Sequence, residues 1–272
     1  MSFRRFLRGD LPDAVLEAVA RDVVERYEGP EAVVNVESLD ANNWLSVPVV
    51  VNDRWFLKVI TGQHTLVHTL LTTGRNIGAF TSGTEGFFER FSTPIEMAEH
   101  ELEATRRMRR LGVNAPEPLE AFEHDGVGVL VLEYLPSFRT LDELPPEEAQ
   151  KHAPALFAAL CTMHDDGLAH GDLREENVLV APGDDGTDRL YFIDATRVDE
   201  AAIDDARAYD LACALASLSP HIGVEAAVIA AQQEYSTDDL LSAREFINFV
   251  NMRPDHDFDM ATLKGEIEKR AS

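Results

Sequence analysis

The sequence has little lysine, no long apolar run and no apolar segment near its first residue. Lysine occurs at only four of 272 positions, so arginine supplies nearly all of the positive charge. No stretch approaches the roughly 18 uninterrupted apolar residues that a membrane helix needs, which argues against a membrane-spanning protein. The opening residues, MSFRRFLRGDLPD, include basic side chains but lack the apolar core of a secretory signal. We therefore expect a cytoplasmic protein with no membrane partner.

Cysteine is also scarce, and its two positions argue against the common cysteine chemistries. Cys161 and Cys213 both lie in apolar stretches with helical spacing, where a small buried hydrophobic residue is the expected role. Neither has the neighbours of a paired metal motif. We expect neither a zinc site nor a redox function.

The charge balance is strongly acidic. Asp and Glu number 49 against 24 Lys and Arg, and the formal net charge is -25. One interpretation is a halophilic protein, whose dense carboxylates keep its surface hydrated at high salt while screening weakens their repulsion. The alternative is an ordinary acidic cytosolic protein. An acidic surface argues against a basic groove for nucleic acid, so nucleic acid is not an expected partner. The argument is weaker for a halophile, whose acidity covers the whole surface and says little about any one partner.

The apolar pattern divides the chain into a strand-rich first half and a helix-rich second half. Residues 11–28 have helical spacing, strand-like runs follow up to residue 60, and a strong helix is expected over about 94–111. Two further strands pair through Asp125-Gly126, after which the sequence becomes mainly helical. Residues 61–95 are rich in Gly, Ser and Thr and predict an insertion with one short helix.

This order of elements predicts an α+β fold with two lobes that share a cleft. The N-lobe, residues 1–133, would hold an antiparallel sheet with its helices and the insertion. The C-lobe, residues 134–272, would be mainly helical. Both lobes are expected to form a single functional domain.

The densest chemistry lies in HGDLREEN, residues 170–177, and in the strand pair that follows it. If NVLVA and RLYFI form an antiparallel hairpin, Asn177 stands just before the outgoing strand and Asp194 just after the returning one. Asp172 lies one short turn upstream. Two carboxylates and an amide at one point supply hard oxygen ligands for Mg²⁺ and spare one carboxylate for a hydroxyl nucleophile. The alternative is that Asp172 and Asn177 are only turn and capping residues.

These residues resemble the catalytic loop and metal-binding aspartate of the protein-kinase superfamily. HGDLREEN followed by a strand pair and IDAT is similar to the variant in atypical and small-molecule kinases, and the motif order over residues 40–215 is most similar to RIO-like kinases. The resemblance implies a kinase fold with ATP and Mg²⁺ as cofactors. Asp172 would orient or deprotonate the attacking hydroxyl, and Asn177 and Asp194 would hold Mg²⁺. With the acidic surface, it suggests a haloarchaeal source.

Lys58 supports this interpretation from another part of the chain. It lies in the run WFLKVI, whose two faces are both apolar, so its ammonium should be partly buried and paired. On the following helix Glu101 falls within the apolar stripe, whereas Glu99 and Glu103 point away. The resemblance implies that Lys58, paired with Glu101, holds the ATP phosphates. The alternative is an edge-strand lysine that extends its ammonium to solvent.

The resemblance assigns roles to five more residues. Glu133 and Leu135 lie in the connection between the lobes and would present backbone groups to the adenine edge. Asp210 would brace the catalytic loop through backbone amides, and His170 would support the same loop. Arg174 would contact the γ-phosphate, or is a surface arginine.

The sequence departs from the family pattern in three places. No G-x-G-x-x-G joins the opening strands; the corresponding stretch is SLDANNW, residues 38–44. Gly171 replaces the arginine with which regulated kinases sense a phosphorylated activation loop. Only a short segment without an APE motif separates Asp194 from Asp210, so an extended peptide has little room to bind.

Three functions fit these features. The first is an ATP-dependent RIO-like serine/threonine protein kinase that acts on a protein, on itself or as an ATPase. The second is a small-molecule kinase similar to aminoglycoside and choline kinases. The third is a nucleotide-binding regulatory module that docks on a macromolecular assembly with little or no turnover. The sequence leaves the phosphate acceptor open.

Overall fold

The structure is a computed structural model that describes residues 11–39, 45–81, 86–183, 185–253 and 255–271. Its residues group into two compact units. Unit 1 contains Met1–Thr72, Arg90–Arg106 and Pro116–Pro136, and unit 2 contains Thr73–Glu89, Arg107–Ala115 and Ser137–Ser272.

The units differ from the predicted division in the placement of the insertion. Thr73–Glu89, assigned above to the N-lobe, groups with unit 2. Backbone hydrogen bonds account for this, because Phe88 and Val198 form an antiparallel bridge and the Glu89 amide donates to the Arg197 carbonyl at 3.1 Å. Arg107–Ala115 also groups with unit 2.

Unit 1 is built on an antiparallel sheet with helices. Its elements in chain order are α1 (Asp13–Glu28), β1 (Val36–Ser38), β2 (Val47–Val51), β3 (Trp55–Ile60), α2 (Gly62–Thr81), α3 (Pro94–Arg110), β4 (Pro118–His124) and β5 (Val127–Glu133). The five strands follow the order β1-β2-β3-β5-β4, and every neighbouring pair is antiparallel. Helices α2 and α3 begin in unit 1 and end in unit 2.

The alternation of β3 side chains sends them to two different cores. Trp55, Leu57 and Val59 pack with the buried face of α1. On the opposite face, Ile60 packs with residues of α3, including Met97. Because side chains alternate along a strand, Lys58 shares the α3 face with Ile60.

A tight turn at Asn52-Asp53 joins β2 to β3. Both residues take positive φ angles, 54° and 51°, and the Arg54 amide donates to the Val51 carbonyl at 3.1 Å. Asn52 also accepts a hydrogen bond from the Asn35 amide at 2.8 Å through its side-chain oxygen. Asparagine and aspartate tolerate the left-handed conformation, so the turn closes without glycine.

Helix α2 is longer than the predicted short helix and runs for 20 residues. Two of its threonine hydroxyls donate to carbonyls one turn earlier: the Thr65 hydroxyl donates to the Thr61 carbonyl and the Thr69 hydroxyl to the Thr65 carbonyl. Towards its end, the Asn76 side chain donates to and accepts from the backbone of Phe88, at 2.9 and 3.0 Å. The Gly, Ser and Thr content of the segment therefore led to the prediction of a helix that was too short.

Unit 2 is mainly helical. Its remaining elements are β6 (Arg139–Thr140), α4 (Pro146–Asp165), β7 (Val178–Pro182), β8 (Asp188–Phe192), α5 (Ile203–Ile222), α6 (Val224–Ala231), α7 (Thr237–Asn251) and α8 (Met260–Ala271). The strands form one antiparallel sheet in the order β6-β7-β8. No helix in the described part of the chain is both long and apolar enough to cross a membrane. The predicted α+β class, with a strand-rich first part and a helical second part, is confirmed.

An aromatic cluster joins the segment after α2 to the helices of unit 2. Tyr209 of α5 is fully buried and lies between 5.3 and 6.3 Å, centroid to centroid, from four phenylalanine rings. Two of them, Phe87 and Phe88, follow α2, and the others, Phe246 and Phe249, lie on α7. The cluster anchors the insertion and the C-terminal helices around α5.

Candidate active site

The lysine of strand β3 forms a buried ion pair with a glutamate of helix α3. Lys58 Nζ lies 2.8 Å from Glu101 Oε1 and 2.7 Å from Oε2, and each residue is 5% exposed. Glu99 and Glu103 are exposed. The predicted contact and the choice of Glu101 are therefore confirmed. Two desolvated charges depend on each other, because removing either one leaves the other buried and uncompensated.

In unit 2 a buried carboxylate on α5 holds the loop that carries Asp172. Asp210 is fully buried, and its two oxygens accept hydrogen bonds from the amides of His170 at 2.5 Å and Gly171 at 2.8 Å. This is the bracing contact predicted for Asp210. Because the charge has no access to water, the two amides are its compensation and the loop conformation is tied to it.

His170 links the same loop to the end of the hairpin. Burial lowers the pKa of its imidazole, although Asp210 and Asp172 favour the charged form. The neutral ring places Nε2 2.9 Å from the Ile193 carbonyl, to which it donates, and Nδ1 3.4 Å from the Asp172 amide. His170 thus has the supporting position predicted for it.

Gly171 occupies a position that no other residue fits. Its φ is +76°, and a Cβ atom would stand 2.6 Å from Thr196 Cγ2 and 3.3 Å from the Thr196 carbonyl oxygen. The first distance is far below van der Waals contact. The arginine that occupies this position in regulated kinases would therefore not fit this loop.

The hairpin forms as predicted and brings Asn177 and Asp194 to one end. Val178 of β7 pairs with Phe192 of β8, and the Ile193 amide donates to the Asn177 carbonyl at 3.1 Å. Asp194 has a φ of +65°, an uncommon conformation for a residue other than glycine. The chain therefore turns sharply at this residue.

The chemistry of this hairpin end fits Mg²⁺. The side-chain amide of Asn177 donates to the Asp172 carbonyl at 2.8 Å, which directs its Oδ1, the ligand atom of an amide, the other way. The Oδ1 of Asn177 and the carboxylate of Asp194 would give two oxygen ligands. Proteins typically supply about this many ligands to an Mg²⁺ ion that also binds phosphate oxygens. Within the described residues, no group of three or more His, Cys, Asp or Glu side chains could hold a metal ion.

Three arginines surround the carboxylate of Asp172. Its Oδ1 accepts from Arg75 Nη2 at 2.5 Å and from Arg253 Nη2 at 2.8 Å, and its Oδ2 lies 3.7 Å from Arg174 Nε. Burial opposes ionisation of the carboxyl, but the charges of Arg75, Arg253 and Arg174 outweigh it and hold the pKa of Asp172 well below its usual range. Arg174, predicted to contact a phosphate, is ion-paired with Glu176 at 3.1 Å.

Three residues near Asp172 are not predictable from the sequence: Arg75, Arg253 and His256. Arg75 and Arg253 lie 97 and 81 positions from Asp172, and no motif spacing relates them to it. His256 is 8% exposed, and neither of its ring nitrogens has a hydrogen-bond partner among the residues described. Burial and then the charge of Arg253 lower the pKa of His256 to about 4, against the opposing effects of Asp255 and Asp172.

The connection predicted to bind adenine follows β5. The amide of Glu133 donates to the Glu117 carbonyl at 2.9 Å and that of Tyr134 to the Arg54 carbonyl at 3.0 Å. Leu135 is buried, and its amide makes no hydrogen bond with another described residue. Of the predicted SLDANNW stretch, residues 40–44 lie outside the described part of the chain.

Comparison with known sequences supports the motif analysis. The RIO domain family matches residues 88–209, somewhat less than half of the chain. The KEOPS complex subunit Bud32 of Pyrococcus abyssi (strain GE5 / Orsay) is 32% identical over 103 residues, which cover 36% of this chain and 43% of that relative. The chain thus matches less than half the length of this relative. The predicted resemblance to atypical RIO-like kinases is confirmed; a haloarchaeal source stays a prediction.

Comparison with solved structures gives matches at low sequence identity. A structure described as a fructosamine-3-kinase from Haemophilus somnus 129PT has a TM-score of 0.51 at 11% identity and covers 93% of this chain and 99% of its own. The PknI kinase domain of Mycobacterium tuberculosis, as a double mutant, has a TM-score of 0.42 at 16% identity and covers 89% and 96%. The match with a TM-score above 0.5, to the structure described as a fructosamine-3-kinase, confirms the predicted kinase-like fold.

Removing one partner of the Lys58–Glu101 pair should destabilise the protein more than removing both. We expect Lys58→Met to lower the free energy of unfolding by about 3–5 kcal/mol, because Glu101 is left buried and unpaired. Lys58→Met combined with Glu101→Leu should recover most of that loss. Denaturant unfolding measures both, with Lys269→Met at an exposed lysine as control. A double variant as unstable as the single one would contradict this account.

Gly171 and Gly186 offer a matched test of the space around the loop. Both have positive φ, +76° and +73°, but no atom lies within 4 Å of a Cβ at Gly186. Gly186→Ala should cost about 1–2 kcal/mol for its backbone conformation alone. Gly171→Ala should cost about 1–3 kcal/mol more, because of its overlap with Thr196. Equal losses in denaturant unfolding would show that the loop relaxes around the added methyl group.

His256 should make stability depend on pH between 6.5 and 4. Its folded-state pKa of about 4 lies below the ordinary 6.5, so the unfolded chain binds the proton first and stability is lost as the pH falls through this window. The loss should approach about 3 kcal/mol near pH 4. His256→Phe should remove this part of the acid destabilisation. The measurement is the difference in free energy of unfolding between variant and wild type, compared at pH 8 and at pH 4.5. A difference independent of pH would show that His256 is not buried neutral.

Proposed function

We propose that the protein is an ATP-dependent phosphotransferase, an atypical RIO-like serine/threonine kinase that acts on a protein, on itself or on water. In this proposal Asp172 orients the acceptor hydroxyl, and Lys58, Asn177 and Asp194 hold Mg–ATP. The RIO domain match and the Bud32 relative support an atypical kinase or ATPase in general terms. Localisation in the cytoplasm remains part of the proposal.

One observation supports the proposal: hydrogen bonds link Asn177 to Asp172 and to Ile193, the residue before Asp194. The Asn177 amide group holds the Asp172 carbonyl, and the Asn177 carbonyl accepts from the residue before Asp194. Asp210 fixes the loop from the other side. Turn and capping residues need no such convergence, so the arrangement favours catalysis over that alternative.

Unit 1 contributes two features to the proposal. The buried ammonium of Lys58, held by Glu101, suits a role in binding the ATP phosphates. The amides of Glu133 and Tyr134 already donate to carbonyls within the unit. In this proposal the Leu135 amide therefore donates to the adenine edge, and Glu133 contributes its carbonyl as an acceptor. Arg174, which is ion-paired with Glu176 through Nη1, keeps its predicted role of contacting the γ-phosphate in this proposal.

The proposed reaction moves the γ-phosphoryl group to a hydroxyl oxygen. That oxygen forms a bond to the γ-phosphorus as the bond from phosphorus to the β–γ bridging oxygen breaks, and ADP leaves with the bridging oxygen. Asp172, ionised by its arginine neighbours, accepts a hydrogen bond from the hydroxyl throughout. The hydroxyl proton becomes strongly acidic as the new bond forms, so even a weak base receives it, and it passes from Asp172 to water. Mg²⁺, when bound, would neutralise charge on the phosphate oxygens.

A second candidate is a nucleotide-binding module that belongs to a larger assembly and turns over little ATP. The relative's description as a complex subunit favours it, and so does the absence of G-x-G-x-x-G in the sequence. This candidate shares the ATP site of the first and differs from it in turnover.

Turnover should depend on Asp172 and Asp194. With labelled ATP and Mg²⁺ in high salt, we expect Asp172→Ala to lower phosphate release and self-labelling by about 100-fold or more, because the acceptor loses its orienting group. Asp194→Ala should lose turnover together with the Mg²⁺ dependence of ATP binding. Both effects are measured on the purified chain, with and without hydroxyl compounds such as an aminoglycoside or choline.

Asp204→Ala is the matched control, because Asp204 is an almost fully exposed carboxylate of the same unit. It should leave turnover unchanged. Label on a small hydroxyl compound alone would favour a small-molecule kinase. ATP binding without turnover would favour the regulatory module, and an absence of ATP binding would contradict both candidates.

A further inference from the structure

Two arginines from outside the RIO-matched segment converge on one oxygen of Asp172. Arg75 comes from α2 and Arg253 follows the end of α7, whereas the family match covers residues 88–209 only. Both guanidinium groups donate to Oδ1, at 2.5 and 2.8 Å. Oδ2 makes no hydrogen bond with any described residue, and Arg174 Nε stands 3.7 Å from it, an ion-pair distance beyond hydrogen-bond range.

Arg253 is itself rigidly held. It is 7% exposed; Nε donates to Asp255 at 2.9 Å, Nη1 donates to the Tyr209 hydroxyl, and Nη2 is shared between Asp172 and Asp255. A buried guanidinium with its donors committed in this way cannot rotate without breaking several hydrogen bonds at once. Its position relative to Asp172 is therefore set by α5 and by the segment after α7.

Arg75, which precedes Asp172 in the sequence, donates to the same oxygen. Its guanidinium lies over the ring of Phe88, 5.3 Å from the centroid, and its side chain is 21% exposed. With Oδ1 held by two donors from different elements, rotation of the carboxylate about its Cβ–Cγ bond would cost both contacts. Oδ1 is thus held in place, and Oδ2 keeps its capacity to accept a hydrogen bond.

We propose that Arg75 and Arg253 are positioning residues for Asp172, which hold Oδ1 so that Oδ2 receives the acceptor hydroxyl. The inference rests on the proposed phosphotransferase function and adds two residues to it. It differs from a purely structural ion pair, because it requires the arginines to act on the rate through Asp172. It also differs from an inhibitory contact, in which the arginines would block Asp172 and their removal would raise the rate.

The test compares Arg253→Lys with Arg75→Gln in the full chain, using labelled ATP, Mg²⁺ and phosphate release. Lysine keeps the charge but cannot bridge Asp172, Asp255 and Tyr209 together. We expect kcat to fall by about 10- to 100-fold in each variant, because a misplaced reacting group loses that much, while KM for ATP stays within about 2-fold. Rates are normalised to the fraction of protein that binds ATP, which removes the effect of unfolded molecules. Arg75→Gln, at the more exposed position, keeps the test valid if Arg253→Lys does not fold.

A double-mutant cycle separates positioning from general structure. In an Asp172→Asn background each arginine substitution should change kcat by less than about 2-fold, because the group through which the arginine acts is already altered. Arg244→Lys, on α7 and ion-paired with Glu245 and Glu268, is the matched control and should leave kcat unchanged.

Three outcomes would overturn the inference. They are an unchanged kcat in both arginine variants, a raised kcat, or an equal fall with and without the Asp172 substitution. A wild-type protein without turnover under any condition would instead defeat the proposed function on which the inference rests. The two failures are therefore distinguishable.

Discussion

The buried carboxylate of Asp210 is the interaction on which the candidate site depends. It has no contact with water, so the hydrogen bonds from the amides of His170 and Gly171 must compensate for its desolvation. A second buried contact adds to this, since His164 Nε2 lies 3.4 Å from the same carboxylate and its Nδ1 lies 2.8 Å from the Tyr235 hydroxyl. Movement of the loop would strand a charge in the core. The loop that carries Asp172 is consequently among the most constrained parts of unit 2.

Positive charge is used sparingly in this acidic chain, and Lys58 of unit 1 and Arg253 of unit 2 use it differently. Lys58 places a compact ammonium between two oxygens of one glutamate, a contact that needs a point charge on a flexible stem. Arg253 spans Asp172, Asp255 and Tyr209 at once, which only the fork of a guanidinium can do. Both groups are desolvated, so each is stable only with its partners in place. Although the net charge of the chain is -25, the positions of these buried cations depend on their individual partners and not on the overall charge.

The parts of the site that were predictable depend on short-range patterns. The two apolar faces of the WFLKVI run predicted that Lys58 is partly buried, and the helical stripe of α3 selected Glu101; both patterns extend over only a few residues. The hairpin placed Asn177 and Asp194 together because the intervening strands are apolar and similar in length. Helix α2 was underestimated because glycine and threonine have low helix propensity, which tertiary contacts such as those between Asn76 and Phe88 overrode.

By itself, the sequence determined the α+β class, the paired Lys58 and Glu101, and the convergence of the HGDLREEN loop with the strand pair behind it. The fold class and the hairpin follow from local periodicity. Lys58 and Glu101 lie 43 positions apart, and their pairing was implied by the family resemblance together with the apolar pattern around each residue. Only the tertiary structure decided that Arg75 and Arg253 meet at Asp172 and that His256 is buried nearby. Such contacts join segments that are far apart in the chain, and they arise from how the helices of unit 2 pack around Tyr209, for which no sequence spacing is a guide.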